Sequence, residues 1–310
     1  MQISILLAQE IAQLFLILIM GYAVVKAGLL KASDSKVLSV VMVYLVTPCV
    51  IINAFQINDT PEIRKGLLYS MAIAAAIHVV LLGISALLSR PLKLDAVEQV
   101  NVIYSNAAAL VIPLVKALMG DAYVIYSCAF IIVQLVLLWT HASSLLQGSS
   151  ALDWKKVLTN INMIAIAAGA LLYWFRVVLP APLQNTMSTV GNMMGPMGML
   201  LAGMAIAEKP LREVFCTRRN YLPTVLRLVV CPLVVLVLLW VCHASSWVAD
   251  GKNILMTVYL AAITPACATV TSMAQLYDRD AAHSSALYVL TTLLSIVSMP
   301  VMIGLFDLLL

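Results

Sequence analysis

The stretch YSNAAALVIPLVKALMGD, Tyr104 to Asp121, decides the fold. It lies inside a long apolar region, yet carries an asparagine, a proline and a lysine. A lipid-facing helix avoids all three. An amide strands a hydrogen-bonding group in hydrocarbon, a proline removes a backbone donor, and a lysine brings a charge. Such a stretch persists only where the protein buries it or lines a cavity with it. It therefore predicts an interrupted membrane helix with a function at the interruption.

The flanking sequence supports that reading. Of 310 residues, 63% are hydrophobic and 10% charged, against roughly 45–50% and 25% in soluble domains. The mean hydropathy is +1.03. The composition excludes an ordinary soluble protein. With no basic stripe outside short loops, it gives no footprint for nucleic acid. The six cysteines lie mostly in apolar runs without a CxxC pair, so neither a metal site nor a disulfide framework is expected. No cofactor is expected.

Runs of about 20 apolar residues, enough to cross a bilayer, fall near residues 5–25, 37–57, 67–89, 97–119, 122–146, 157–179, 183–207, 221–243, 252–276 and 282–309. The fold class expected is an all-α polytopic membrane protein of ten helices. The first run lacks a basic leader and predicts a retained helix rather than a cleaved signal. Alternating the loops puts Arg64, Lys65, Lys116, Arg176 and Lys252 on one side, Arg227 inside a helix, and the other twelve of the 18 Lys and Arg opposite. The basic side is expected in the cytoplasm and both termini outside. Five spans per half predict two inverted repeats, residues 1–151 and 152–310.

The opening stretch has a counterpart in LAAITPACATVTSMAQLYDRDAA, Leu260 to Ala282. An offset of 159 residues carries Asn106 onto Pro265 and Asp121 onto Asp280. Paired interruptions in two halves point to a transporter's binding site. Pro265 is expected to break the ninth helix and Pro113 the fourth, freeing backbone groups around residues 106–110. The segments after the breaks, starting near Ala107 and Ala266, would aim their partially positive N-terminal ends at the bilayer midplane. Two such ends suit a carboxylate, with Asn106, Thr264, Thr269 and Thr271 as added donors. Ser105, Pro113, Pro265 and Ala266 complete the predicted site.

The same residues resemble a known family. SNAAALVIPLVKALMGD is similar to the asparagine-containing fourth helix of the auxin efflux carriers, with Ile-Pro-Leu and then Gly-Asp following. TPACATVTSMAQLYDRD resembles their ninth helix, and VLSVVMVYLVTPCVIINAF and GNMMGPMGMLLAGMAIAE their second and seventh. The resemblance implies a dimerising scaffold (helices one, two, six and seven; about 5–57 and 157–207). It also implies a mobile transport domain (helices three to five and eight to ten; about 67–146 and 221–309) that moves as an elevator. It implies a homodimer in the plasma membrane, and a small organic acid such as malate, malonate or an auxin-like acid as substrate. The chain departs from plant exporters in its short central loop, in Ser105 where proline is frequent, and in Ala266 where a polar amide is common.

Other residues carry weaker expectations. Lys116 either neutralises an anion or snorkels outward, and Arg227 either serves the site or snorkels to the cytoplasmic end. His78 is a candidate for proton coupling, against a neutral histidine bonded between helices. Glu10 is expected at the outer vestibule and Asp280 as a helix cap. Pro48 and Pro196 are read as kinks, with Cys49, Asn53 and Met197 beside the cavity. The methionines are expected in the core. No nucleophile–base arrangement, HExxH or GxxxxGK[ST] motif favours an enzyme or ATP-driven pump. A sodium-coupled symporter of the bile-acid type and a passive channel are the alternatives to an organic-anion carrier.

Overall fold

A computed structural model describes residues 2–56, 60–148, 159, 161–207 and 211–310. Lys155, Lys156 and Lys209 lie outside the described residues, as does the start of the span predicted at 157. The regular structure of the described residues is helical, apart from one isolated β-bridge. In chain order these are α1 (Gln2–Lys26), α2 (Ser35–Val41), α3 (Thr47–Ala54), α4 (Pro61–Ser89), α5 (Ala96–Ile103), α6 (Ala107–Met119), α7 (Val124–Leu137) and α8 (Ser143–Gln147). There follow α9 (Ile161–Trp174), α10 (Ala181–Gly191), α11 (Met194–Ile206), α12 (Leu211–Cys216), α13 (Arg218–Val225) and α14 (Cys231–Val241). The last are α15 (Gly251–Ile263), α16 (Ala268–Leu276) and α17 (Ala281–Leu309).

Among the described residues, five continuous helical stretches are long and apolar enough to cross a membrane: Ala32–Asn53, Pro61–Ser89, Val124–Gln147, Arg218–Val241 and Ala281–Leu309. Shorter apolar helices accompany them. The chain is a multi-pass, all-helical membrane protein.

Local sequence sets the helix ends. Thr60 accepts from the Ile63 N–H with Pro61 in the first turn, and proline is tolerated there because its missing donor has no partner to lose. Asp95 and Glu98 form a reciprocal capping box at the start of α5. Asp280 accepts from the His283 N–H at 2.7 Å, capping α17 as predicted. π-helical turns at Met42–Val46 and Leu226–Val230 end two residues before Pro48 and Pro232. These are the irregularities that let a helix bend. The span predicted at 183–207 divides into α10 and α11 at Asn192–Met193, just before Pro196. The connection predicted as loop before residue 218 contains α12.

Glycine governs the closest helix contact. Helix α1 packs along α11. A methyl group on Gly203 would lie 2.0 Å from the Leu18 carbonyl oxygen, and one on Gly21 2.2 Å from that of Leu200. Small residues let membrane helices approach backbone to backbone. A second body is built from α4, α7 and α15, with α14 and α17 around them. Helices α16 and α17 then pack on α2 and α11. The methionines expected in the core sit partly on this seam: the Ser272 hydroxyl donates to Met42 Sδ and the Tyr288 hydroxyl to Met199 Sδ.

Loop contacts sort into two sets. Lys36 pairs with Asp278 at 2.8 Å, Arg219 with Glu98, and the Arg279 side chain donates to the Leu146 carbonyl. In the other set, Gln56 bonds the backbone of Val177 and Leu179, Tyr69 donates to the Ala244 carbonyl, and Tyr123 to Asp250. Each of these pairs joins loops or helix ends that the sequence assigns to one side. Arg279 is exposed in the turn before α17 and reaches the end of α8 from there.

Candidate functional site

Two helical paths are broken, α5–α6 and α15–α16, and the breaks meet. Tyr104, Ser105 and Asn106 separate the first pair; Thr264 to Cys267 separate the second. Ser105 and Ala266 form an antiparallel bridge. The Asn106 N–H donates to the Pro265 carbonyl at 2.8 Å, and the Cys267 N–H to the Tyr104 carbonyl at 3.1 Å. The two residues matched by the 159-residue offset are thus hydrogen-bonded to each other. All of these residues are buried.

Unwound backbone in a dry interior must find other partners, and three side chains supply them. Gln134, on α7, accepts from the Ser105 N–H at 2.9 Å and the Ser105 hydroxyl at 2.7 Å, and donates to the Ser105 carbonyl at 2.8 Å. One amide thereby satisfies both backbone groups of the unwound residue. Thr291, on α17, accepts from the Ala266 N–H at 3.1 Å.

Arg227 supplies the third. It is 1% exposed. It donates to the carbonyls of Val102 and Ile103 at 3.2 Å each, of Ala262 at 2.5 Å, and of Thr264 at 3.0 and 2.8 Å. These are the C-terminal carbonyls of α5 and α15, which lack partners within their helices. Each helix C-terminus carries roughly half a negative charge, so one guanidinium offsets two of them. Of the two roles expected for Arg227, snorkelling is excluded: the side chain turns inward because four carbonyls compete for its five donors.

With the C-terminal ends neutralised, the N-terminal ends of α6 and α16 retain their partial positive charge. Cys267, the N-cap of α16, places no side-chain bond on that helix's first N–H groups. Asn106 stands directly before α6, 3% exposed, and its amide nitrogen is buried without a hydrogen-bond partner among the described residues. A buried amide donor left unpaired costs about 1–3 kcal/mol. A ligand with an acceptor oxygen removes that cost.

The other predicted residues divide. Ala107 begins α6 as expected. Helix α16 begins at Ala268, two residues later than predicted, because Ala266 and Cys267 are held extended by the crossing. Pro113 does not make the fourth-helix break: α6 runs unbroken from Ala107 through it to Met119. The break lies at Tyr104–Asn106, where tertiary partners compete for the backbone, whereas an in-helix proline forfeits one bond to the preceding turn. The side chains of Pro113, Lys116 and Glu10 lie outside the described residues.

Thr264 donates to the Ala261 carbonyl of its own helix, so its hydroxyl is not a spare donor. Thr271 is engaged with Ser284, which also accepts from Asn101. Thr269 is buried in the first turn of α16. Cys49 and Asn53, four residues apart on α3, are half-buried. Met197 is buried against Met42, Val46 and Met194.

His78 is buried, its Nδ1 bonding the Ala74 carbonyl of the same helix at 2.7 Å, its ring 4.7 Å from that of Phe130 and the Gln134 side chain of α7 beside it. Sequence reasoning missed Gln134, Thr291 and His141, whose Nδ1 lies 3.0 Å from the Tyr104 hydroxyl. A lone glutamine within FIIVQLVLL was the available signal, being a polar group where none is tolerated unpaired.

A crossing of two half-helix pairs is the architecture of a carrier rather than of an enzyme cleft, and comparison with known proteins agrees. Curated proteins return no match. The model of the membrane transport protein family, the auxin efflux carriers, matches residues 6–153 and 149–303. By sequence coverage and by these two interrupted helices, the chain belongs to the auxin efflux carrier family of membrane transporters.

Proposed function

We propose that the protein is a secondary transporter of small organic anions, mono- or dicarboxylates or an auxin-like acid, bound at the crossing of the two broken helices. The observation that carries this reading is the buried, unpartnered amide donor of Asn106 beside the N-terminus of α6. A carboxylate fits there because it offers acceptor oxygens and negative charge together. Arg227 supports the reading by removing the opposing negative ends from the same region.

In this reading the chain has ten spans in two inverted five-helix repeats, with both termini outside the plasma membrane. The scaffold helices pair two copies, and the crossing travels with the transport domain as an elevator. The methionine contacts at Met42 and Met199 lie where that sliding surface falls, and thioether side chains accommodate changing neighbours.

Proteoliposome counterflow tests the carrier mechanism. Labelled substrate exchanging against unlabelled substrate supports it, and transport without trans-stimulation supports a channel. Thermal-shift titration with mono- and dicarboxylates tests the site, since a ligand that binds only the folded state raises apparent stability. Asn106→Ala is expected to lower affinity with folding preserved. Unchanged affinity in a stable variant removes the assignment.

A further inference from the structure

Asn101, near the end of α5, presents the opposite defect to Asn106. It is 2% exposed, and its side-chain oxygen is buried without a hydrogen-bond partner among the described residues. The amide's orientation is fixed, because its nitrogen donates to the Val97 carbonyl at 2.8 Å, a group that can only accept. The same nitrogen donates to the Ser284 hydroxyl at 3.1 Å, and that oxygen lies 3.1 Å from the Thr271 hydroxyl. Both hydroxyls are buried. We propose that Asn101, Ser284 and Thr271 form a site for a monovalent metal cation, sodium.

Asn106 is a buried donor that lacks an acceptor; Asn101 is a buried acceptor that lacks a donor or a cation. The main chain adds to the second. In a continuous helix the Ser105 N–H would bond the Asn101 carbonyl, but Gln134 takes it, and the Tyr104 N–H stays with Val100. Arg227 bonds the next two carbonyls, Val102 and Ile103. The end of α5 therefore keeps partial negative charge at Asn101. Freed carbonyls and helix C-terminal ends of this kind hold cations in transporters.

The donor set selects the ion. Amide and hydroxyl oxygens are hard ligands without charge, which suits a singly charged ion, whereas calcium sites are built round carboxylates. Glu98, one turn earlier on α5, has both oxygens held by Arg219. With Ser284 donating to Thr271, each hydroxyl keeps a lone pair for the ion. One ligand each from α5, α16 and α17 makes the ion a tie between both broken paths and α17. A carboxylate entering hydrocarbon alone carries an uncompensated charge, and a cation on the same broken path balances it. That coupling rests on the proposed carboxylate site; the binding does not.

The protein in detergent, free of carboxylates, is heated in sodium, potassium or choline chloride at equal ionic strength. A saturable rise of the unfolding midpoint with sodium is expected, smaller with potassium and absent with choline. In T271V/S284A the half-saturating sodium concentration is expected to rise about tenfold or more, and Thr271→Ser is expected to retain the response. Asn101→Asp keeps the oxygen and adds a charge, so tighter sodium binding and a new response to calcium are expected. Equal midpoints in sodium and choline overturn the proposal, in favour of a pocket that holds water only. An undiminished response in a folded T271V/S284A, or an Asn101→Asp protein indifferent to both ions, also overturns it. These readouts contain no substrate, so they stand apart from Asn106→Ala, whose carboxylate affinity tests the other site. Sodium binding with carboxylate counterflow indifferent to sodium overturns the coupling alone.

Discussion

The two breaks meet at one point but are made differently. In α15–α16, Pro265 lacks an N–H and cannot continue the helix, so the interruption is written locally. In α5–α6 no proline occupies the break, and Tyr104, Ser105 and Asn106 all keep their donors. The Tyr104 N–H still bonds the Val100 carbonyl of the preceding turn, while those of Ser105 and Asn106 go instead to Gln134 and to the Pro265 carbonyl. One break is intrinsic and the other is held open by neighbours. The first is expected to survive loss of a partner, and the second to be lost with it.

Arg227→Ala should separate the breaks least and damage the molecule most. It strands carbonyls from both helices, each costing about 1–3 kcal/mol. Loss of monodisperse protein after detergent extraction is expected, with Arg227→Lys intermediate. Gln134→Leu attacks only the neighbour-held break. Two buried backbone groups lose their partner, so a cost of about 2–5 kcal/mol is expected. The equivalent change at the other break, Thr291→Val, frees one N–H and should cost about 1–3 kcal/mol. Thermal unfolding midpoints rank the two, and equal effects would erase the distinction drawn between the breaks.

Asn106→Ala has its effect on ligand rather than on fold. Removing an unpaired donor is neutral or stabilising without substrate, while carboxylate affinity should fall about tenfold, the value of one charge-assisted hydrogen bond. The smallest effect is expected for Pro113→Ala. Because α6 is continuous through residue 113, affinity should be unchanged and the midpoint equal or higher. A large loss of binding in that variant would show that the proline shapes the break from seven residues away.

Much of this was legible in the chain. The shared offset, the mid-helix disruptions and the aspartates that follow them pair Asn106 with Pro265, and the structure joins the two by a hydrogen bond. The aspartate cap at residue 280 follows from local spacing. Proline misled at residue 113, since the rule that it ends helices ignores its tolerance inside one that packing supports. Arg227 was ambiguous because its distance from the helix end suited both a snorkelling and an inward side chain. Thr264 and Thr271 were plausible donors whose hydroxyls the structure commits to the Ala261 carbonyl and to Ser284.

The sequence by itself determined a multi-pass helical membrane protein with two disturbed helices, because hydrocarbon penalises polar groups wherever they fall along the chain. Only the tertiary structure decided how those disturbances are resolved. Gln134, Thr291 and Arg227 lie between 25 and 125 residues from the backbone groups they satisfy, and no local pattern encodes a partner at that separation. Once they are placed, the Asn106 amide nitrogen at the crossing still lacks a hydrogen-bond partner among the described residues, and that unmet hydrogen bonding is visible only in three dimensions.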